Sequence, residues 1–295
     1  EVGSPGEPTQ GAGAVALLVG CSPSVLKIDA QWEALFSREV MDFWRPHYRH
    51  NALVNGQVSV TSYMEALRRT YGTHKVMSGF GWDDYDYMLF HVPFPKMAVK
   101  GLRALYDLEV ESGAIEKART FDGEFAARTD PALWANREVG NVYSGSLYLS
   151  LGALLEGGES CLADARIGLY SYGSGCCAEY FSGTLGGDPA AWRGKTGLVD
   201  CLKRRVELDH AQYIKMRREG ERLLGEGSFN ARRTTVSAPG HDPMKGVSFR
   251  GIRDHQRVYE RTDPMVGQHA RNTCAPAPRL IFNDAYGVAG AVCVP

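Results

Sequence analysis

Apolar positions along this chain cluster in short runs bounded by Gly, Pro or acidic residues, and these runs alternate with segments of helical spacing. Gly11–Gly20 is apolar between glycines and predicts a buried strand, with Val25–Ile28 continuing the sheet after a turn at Ser22-Pro23. Tyr85–Phe90, Arg166–Ser171 and Cys177–Leu185 predict further strands, the last returning after the Tyr172–Gly175 loop. Between them, Ser59–Tyr71 places Tyr63, Ala66, Leu67 and Tyr71 on one helical face, with Ser59 as N-cap. Lys96–Asp107 and the apolar stretch of Asn141–Leu155 predict helices, and Gln31–Val40 has weak helical spacing. Phe43-Trp44-Arg45-Pro46 and the two prolines of His91–Pro95 interrupt regular structure, because proline lacks a donor. Leu202–Leu224 predicts one charged amphipathic helix, and Gly246–Tyr259 a last strand. From about Thr262 the periodicity is lost and a tail is expected. Strands alternating with helices predict an α/β fold.

Composition narrows the class. With 295 residues, 44% hydrophobic and 23% charged, the chain has the balance of a globular protein. A net charge of -1 supplies no global field for nucleic acid or an anionic membrane, and neither is an expected partner. No apolar run approaches the ~20 residues of a membrane span. The seven cysteines are odd in number and form no C-x-x-C pair, so neither a disulfide framework nor a metal site is expected, and the compartment reads as a reducing cytoplasm. The opening Glu1-Val2-Gly3-Ser4-Pro5 carries no Met and no basic-then-apolar leader, and reads as a loop of a fragment or a processed chain.

Three segments offer chemistry. Phe90-His91-Val92-Pro93-Phe94-Pro95-Lys96-Met97 puts a histidine at the end of a buried strand, with Lys96 and Lys100 on one face of the next helix. Such a histidine donates to a carbonyl or shuttles a proton, and two lysines hold a phosphate; a capping histidine and solvated lysines fit the pattern equally. Gly140-Asn141-Val142-Tyr143-Ser144-Gly145-Ser146-Leu147-Tyr148 is a turn into a helix, where backbone N–H groups and an amide can polarise a carbonyl; capping by Ser144 or Ser146 accounts for it as well. Ser171-Tyr172-Gly173-Ser174-Gly175 lets backbone approach a ligand, or simply turns the chain; its spacing is not that of a nucleophile elbow.

Together and in this order, the three segments resemble the signatures of hydroxymethylglutaryl-CoA synthases. Pro8-Thr9-Gln10-Gly11-Ala12-Gly13, Asp42-Phe43-Trp44-Arg45-Pro46 and Val54-Asn55-Gly56 extend the resemblance over roughly residues 6–185, with an echo at Phe249–Tyr259. The resemblance implies a thiolase-like fold, mainly its C-terminal half: residues 1–28 ending the first half, 29–260 forming the second, and 261–295 an irregular tail. It implies condensation of acetyl-CoA with acetoacetyl-CoA to hydroxymethylglutaryl-CoA and CoA, in the mevalonate route to isoprenoids. The only cofactor-like groups would be the coenzyme A thioesters themselves, and the expected assembly is a homodimer. By position, His91 corresponds to the histidine that orients acetoacetyl-CoA. Asn141, Ser174 and Thr9 correspond to substrate contacts, and Lys96 and Lys100 to the side receiving CoA phosphates. The family's nucleophilic cysteine and general-base glutamate lie before the Gly11-Ala12-Gly13 segment, and none of the seven cysteines sits in the expected motif. The chain alone is therefore expected to be inactive. Two alternatives stand beside this reading. One is a relative that installs β-branches on polyketides held by an acyl carrier protein, for which the basic stretch Lys203–Arg218 is a docking candidate. The other is a non-catalytic fragment or split subunit.

Overall fold

The computed structural model describes residues 3–261, apart from 5, 117, 158–162, 188–191, 224 and 232–246. The tail after Thr262, with Cys274 and Cys293, and Cys161 lie outside the described residues. Among the described residues, in chain order, strands β1 to β4 are Leu26–Ile28, Ala34–Ser37, Phe43–Trp44 and Leu53–Val54. Helix α1 (Gly56–Ser78), β5 (Tyr87–Phe90) and α2 (Pro95–Glu111) follow. Next come α3 (Phe121–Arg128), α4 (Trp134–Val139), α5 (Gly145–Gly157), β6 (Arg166–Gly173) and β7 (Cys177–Leu185). The remainder is α6 (Leu198–Lys203), α7 (His210–Arg222), β8 (Phe229–Asn230), β9 (Val247–Arg253) and β10 (Gln256–Arg261). Two compact units divide at 199/200.

The first unit is built on a mixed sheet, β1-β7-β6-β5, with β2 also paired to β7. β5 and β6 run parallel, and the other pairs are antiparallel. All four residues of β5 are buried, because helices cover both faces of the sheet. Met88, Phe90, Tyr170, Tyr172 and Tyr180 join Tyr63, Leu67, Tyr71, Leu102 and Leu105 of α1 and α2 in one core. The alternate residues Tyr87, Leu89, Ile167, Leu169 and Phe181 pack with Leu147, Leu151, Leu154 and Leu155 of α5 in another. The period-2 alternation along β5 and β6 thus feeds two separate cores.

The strands predicted at Tyr85–Phe90, Arg166–Ser171 and Cys177–Leu185 form this sheet, and the helical face Tyr63/Ala66/Leu67/Tyr71 is buried. The cap of α1 is Asn55, whose Oδ1 accepts from Val58 N–H at 3.2 Å; Ser59 lies inside the helix. Pro95 is the first helical residue of α2, where a missing donor costs nothing.

Three expected elements take other forms. Gly11–Gly20 is not a strand: it forms no regular element, Leu18 is 79% exposed, and no described strand pairs with it. Its apolar composition makes it competent to pair, but a strand also needs a neighbour; among the described residues the ladder contact nearby is a bridge of Gln10 with Asn141. Gln31–Val40 is a 3-10 turn followed by β2, in which Ala34 and Phe36 face inward and Leu35 and Ser37 outward. That alternation has period 2 and was concealed by the flanking charges. Phe43–Trp44, expected to be irregular, forms a short ladder with Leu53–Val54.

The second unit consists of α7 and the antiparallel sheet β10-β9-β8. The helix predicted over Leu202–Leu224 is interrupted. Asp209 caps α7 by accepting from Gln212 N–H (2.8 Å), while Gln212 Oε1 accepts from Asp209 N–H (3.0 Å). This reciprocal capping box starts a new helix there. The single last strand is a hairpin, because Asp254 and His255 both adopt positive φ (47° and 64°) and reverse the chain in two residues. No helix among the described residues is long and apolar enough to cross a membrane.

Candidate active site

His91 stands where β5 ends. Its N–H still donates to the Tyr170 carbonyl (2.7 Å), one bond beyond the β5–β6 ladder, before Pro93 and Pro95 turn the chain into α2. The His91 carbonyl accepts from the buried Tyr63 hydroxyl of α1 at 2.8 Å. The rings of Tyr63 and Tyr172 flank the imidazole, with centroids 6.5 and 6.3 Å away. Ser146 Oγ, in the first turn of α5, lies 3.0 Å from His91 Nδ1 and accepts from Val92 N–H at 2.9 Å. Burial pushes the His91 pKa down to about 4, against the opposing pull of a hydrogen bond to the Tyr143 backbone. The imidazole is therefore neutral at pH 7.

Asn141 is joined to this histidine through Tyr143. Its Oδ1 accepts from Tyr143 N–H (2.8 Å), an Asx turn that holds Tyr143 at φ 55°. Its Nδ2 makes no hydrogen bond to another described residue, leaving a donor for a ligand. The Asn141 backbone is clamped on both sides, N–H to the Thr9 carbonyl (2.8 Å) and carbonyl to Gly11 N–H (2.9 Å). Two glycines permit that clamp. A Cβ on Gly11 would lie 2.2 Å from the Val139 carbonyl oxygen. A Cβ on Gly140, which is at φ +85°, would lie 3.1 Å from the Thr9 carbonyl oxygen. Thr9 is thus brought to Asn141 by its backbone, while its own Oγ1 donates to the Gly6 carbonyl (2.8 Å).

Ser174 sits at the exposed tip of the β6–β7 turn, with no hydrogen bond to a described residue. The turn itself is fixed by Asp42, which is 0% exposed. Its carboxylate accepts from Gly175 N–H (3.0 Å), Phe43 N–H (2.8 Å) and the Tyr172 hydroxyl (3.1 Å). The described contact of this turn region with His91 is made by Tyr172, two residues before Ser174. Lys96 and Lys100 are exposed on the first turns of α2, free of ion pairs to described residues. Of the described cysteines, Cys21 and Cys177 are exposed, Cys201 is half-buried and Cys176 is buried. Burial raises the Cys176 thiol pKa, and a hydrogen bond with Tyr172 only partly offsets this. A protonated thiol is a poor nucleophile.

The arrangement therefore unites His91, Asn141 and Thr9 through hydrogen bonds and leaves Ser174 and the two lysines as exposed neighbours. Ser146, Tyr63, Tyr172 and Asp42 were not among the site residues expected from sequence, in which Tyr63 has only a place on a helical face and Ser146 only a capping role. One signal was present: Ser146 and Ser150 recur four apart in an otherwise apolar helix, a pattern that marks a buried polar stripe.

A family model for the hydroxymethylglutaryl-coenzyme A synthase C-terminal region matches residues 26–122 and 103–237, more than half of the chain. The chain belongs to this synthase family. The hydroxymethylglutaryl-CoA synthase of Enterococcus faecalis is 38% identical over 213 residues, 72% of this chain and 53% of that protein. The polyketide biosynthesis 3-hydroxy-3-methylglutaryl-ACP synthase PksG of Bacillus subtilis is 32% identical, over 79% of this chain and 54% of that one. The solved structure of MvaS in complex with 3-hydroxy-3-methylglutaryl coenzyme A matches with a TM-score of 0.71 and 35% identity, over 89% of this chain and 64% of MvaS. The fold is accordingly thiolase-like. The chain spans about half the length of the curated relatives it matches.

Proposed function

We propose that this chain forms the acceptor side of a hydroxymethylglutaryl-CoA synthase site, which condenses acetyl-CoA with acetoacetyl-CoA. The observation that carries the reading is the neutral His91, half-buried at a strand end and linked through Tyr143 to an Asn141 amide with a spare donor. When a carbanion adds to the ketone of acetoacetyl-CoA, its oxygen takes up negative charge. Donors from His91 and Asn141 stabilise that oxygen, and in a site shielded from water each is worth more than it would be in solvent. Thr9 and Ser174 complete the substrate contacts, and Lys96 and Lys100 receive the CoA phosphates.

The carbanion comes from an acetyl group carried on a cysteine, its methyl proton taken by a glutamate; water then releases the product from the thiol. Neither group is assigned to this chain: burial keeps the Cys176 thiol protonated, no described cysteine or glutamate is hydrogen-bonded to His91, and the resemblance puts both groups ahead of the Gly11-Ala12-Gly13 segment. In this reading, residues 1–28 end the first thiolase-like half and 29–260 form the second. The assembly is a homodimer in the cytoplasm, feeding isoprenoid synthesis.

The test follows thiol release with both thioesters present. The isolated chain should release no CoA above background, whereas the enzyme joining it to a cysteine-bearing half should release CoA in step with acetoacetyl-CoA consumed. Release by the isolated chain would overturn placement of the nucleophile elsewhere; release independent of acetoacetyl-CoA would overturn the reaction. A second reading, action on carrier-protein thioesters, is favoured by the match to PksG. A larger kcat/KM for the carrier-protein thioester than for the CoA thioester would select it.

A further inference from the structure

We propose that Ser146 is the positioning residue of the site: its hydroxyl fixes His91 as the tautomer that carries its proton on Nε2 and aims that proton at the substrate carbonyl. The inference rests on the reading of His91 as the carbonyl-facing donor. A serine hydroxyl has one proton to give and lone pairs to accept with. Ser146 Oγ already accepts from Val92 N–H at 2.9 Å, and its remaining close polar neighbour is His91 Nδ1 at 3.0 Å. Were the ring proton on Nδ1, Ser146 Oγ would accept twice. Its own proton would then be left without an acceptor among the described residues, in a side chain that is 0% exposed. An unmet donor at that depth is costly. With Nδ1 accepting, every group is satisfied.

The Tyr143 backbone agrees with this assignment. Its N–H is given to Asn141 Oδ1, so the group it offers the imidazole is its carbonyl; in this assignment the Nε2 proton rests on that carbonyl until the substrate carbonyl takes its place. The backbone of the turn that carries Ser146 is itself anchored. The Ser146 carbonyl accepts from Asn136 Nδ2 (3.0 Å) and from Ser150 Oγ (3.2 Å), and Ser150 Oγ also reaches Asn136 Oδ1 (2.9 Å). Asn136, Ser146 and Ser150 are each at most 1% exposed. One hydroxyl thus joins the end of β5 to the start of α5 across 55 residues of sequence and sets the direction of the reactive proton.

Nitrogen-15 spectra of histidine-labelled enzyme read the tautomer directly. The wild type should show a protonated Nε2 and an acceptor Nδ1 at His91. Ser146→Ala should mix the tautomers and raise the His91 pKa, since a donor that favoured the neutral ring is gone. It should also lower kcat/KM for acetoacetyl-CoA about tenfold or more while acetyl transfer to the enzyme thiol persists, one lost hydrogen bond being worth roughly that factor. Ser146→Thr keeps the hydroxyl and should restore the single tautomer. Ser150→Ala loosens the same turn without touching His91 and should leave the tautomer alone. A wild-type ring protonated at Nδ1, an unchanged tautomer in Ser146→Ala, or an equal change in Ser150→Ala would each overturn the proposal. The spectra are independent of substrate. A tautomer shift in an enzyme that ignores these thioesters would leave Ser146 as positioning residue and remove only the proposed function.

Discussion

His91 owes its neutrality to its place at the end of a buried strand, and the same burial dictates how the protein responds to acid. Its pKa is lowered to about 4, chiefly by desolvation, so activity that depends on the neutral ring should persist below the ordinary histidine value of about 6.5 and fall only near pH 4. An acidic limb centred at 6.5 and abolished by His91→Gln would contradict this. His74, which is 0% exposed, is lowered to about 4 by the same cause, with Arg166 adding to it and Asp29 opposing. Its Nδ1 faces the Tyr85 hydroxyl (3.0 Å) and Ser78 Oγ (3.3 Å). Between pH 6.5 and 4 the unfolded chain binds a proton at this position that the folded chain refuses, so stability falls as pH drops through that window. His74→Asn should remove one such proton from the slope, a pH-dependent share of about 3 kcal/mol at most. Urea titrations at pH 7 and pH 4.5 measure it. The sequence offers Ser146 as a helix cap and Asp42 as part of a motif, but not their roles at the site, because their partners are remote: Ser146 meets His91 across 55 residues, and Asp42 meets Gly175 across 133. Local spacing carries no record of such pairs.

At the level of elements, what was legible follows from coverage. β5 is buried along its whole length and its run is continuously apolar, and β6 and β7 keep mostly buried apolar bodies between their polar residues; α1 and α2 each present one apolar face at helical spacing. Gly11–Gly20 has the same apolar composition, and only the absence of a described neighbour separates it from a strand. Pairing is a non-local property, which composition cannot report. The β9–β10 hairpin was missed for another reason, because Asp254 and His255 adopt positive φ without the glycine that usually signals it. The junction of residues 9–11 with 139–141 is the element on which the site depends. Gly140→Ala would force a side chain to φ +85° against the Thr9 carbonyl, and should cost roughly 1–3 kcal/mol. Thermal melts check the stability, and a matching loss of Asn141-dependent binding would tie the junction to the site. A neutral Gly140→Ala would show that the clamp is dispensable.

Across the whole first unit, one sheet is shared by two cores, and the site lies at the edge where they meet: His91 follows β5, Tyr172 closes β6, and Ser146 opens α5. Emptying the core behind α5 should therefore harm both folding and chemistry. Leu169→Ala, at a fully buried position facing α5, is expected to cost about 2–5 kcal/mol in chemical denaturation. Family membership and the thiolase-like fold rest on matches that run through these same segments. The central claim is that they serve the acceptor substrate. The most direct measurement separates the two half-reactions in the enzyme that carries this chain, with His91→Ala as the variant. Acetyl transfer to the enzyme thiol should proceed as in the wild type, while condensation with acetoacetyl-CoA should fall by about 100-fold or more. Condensation at the wild-type rate, or loss of acetyl transfer in parallel with it, would contradict the account.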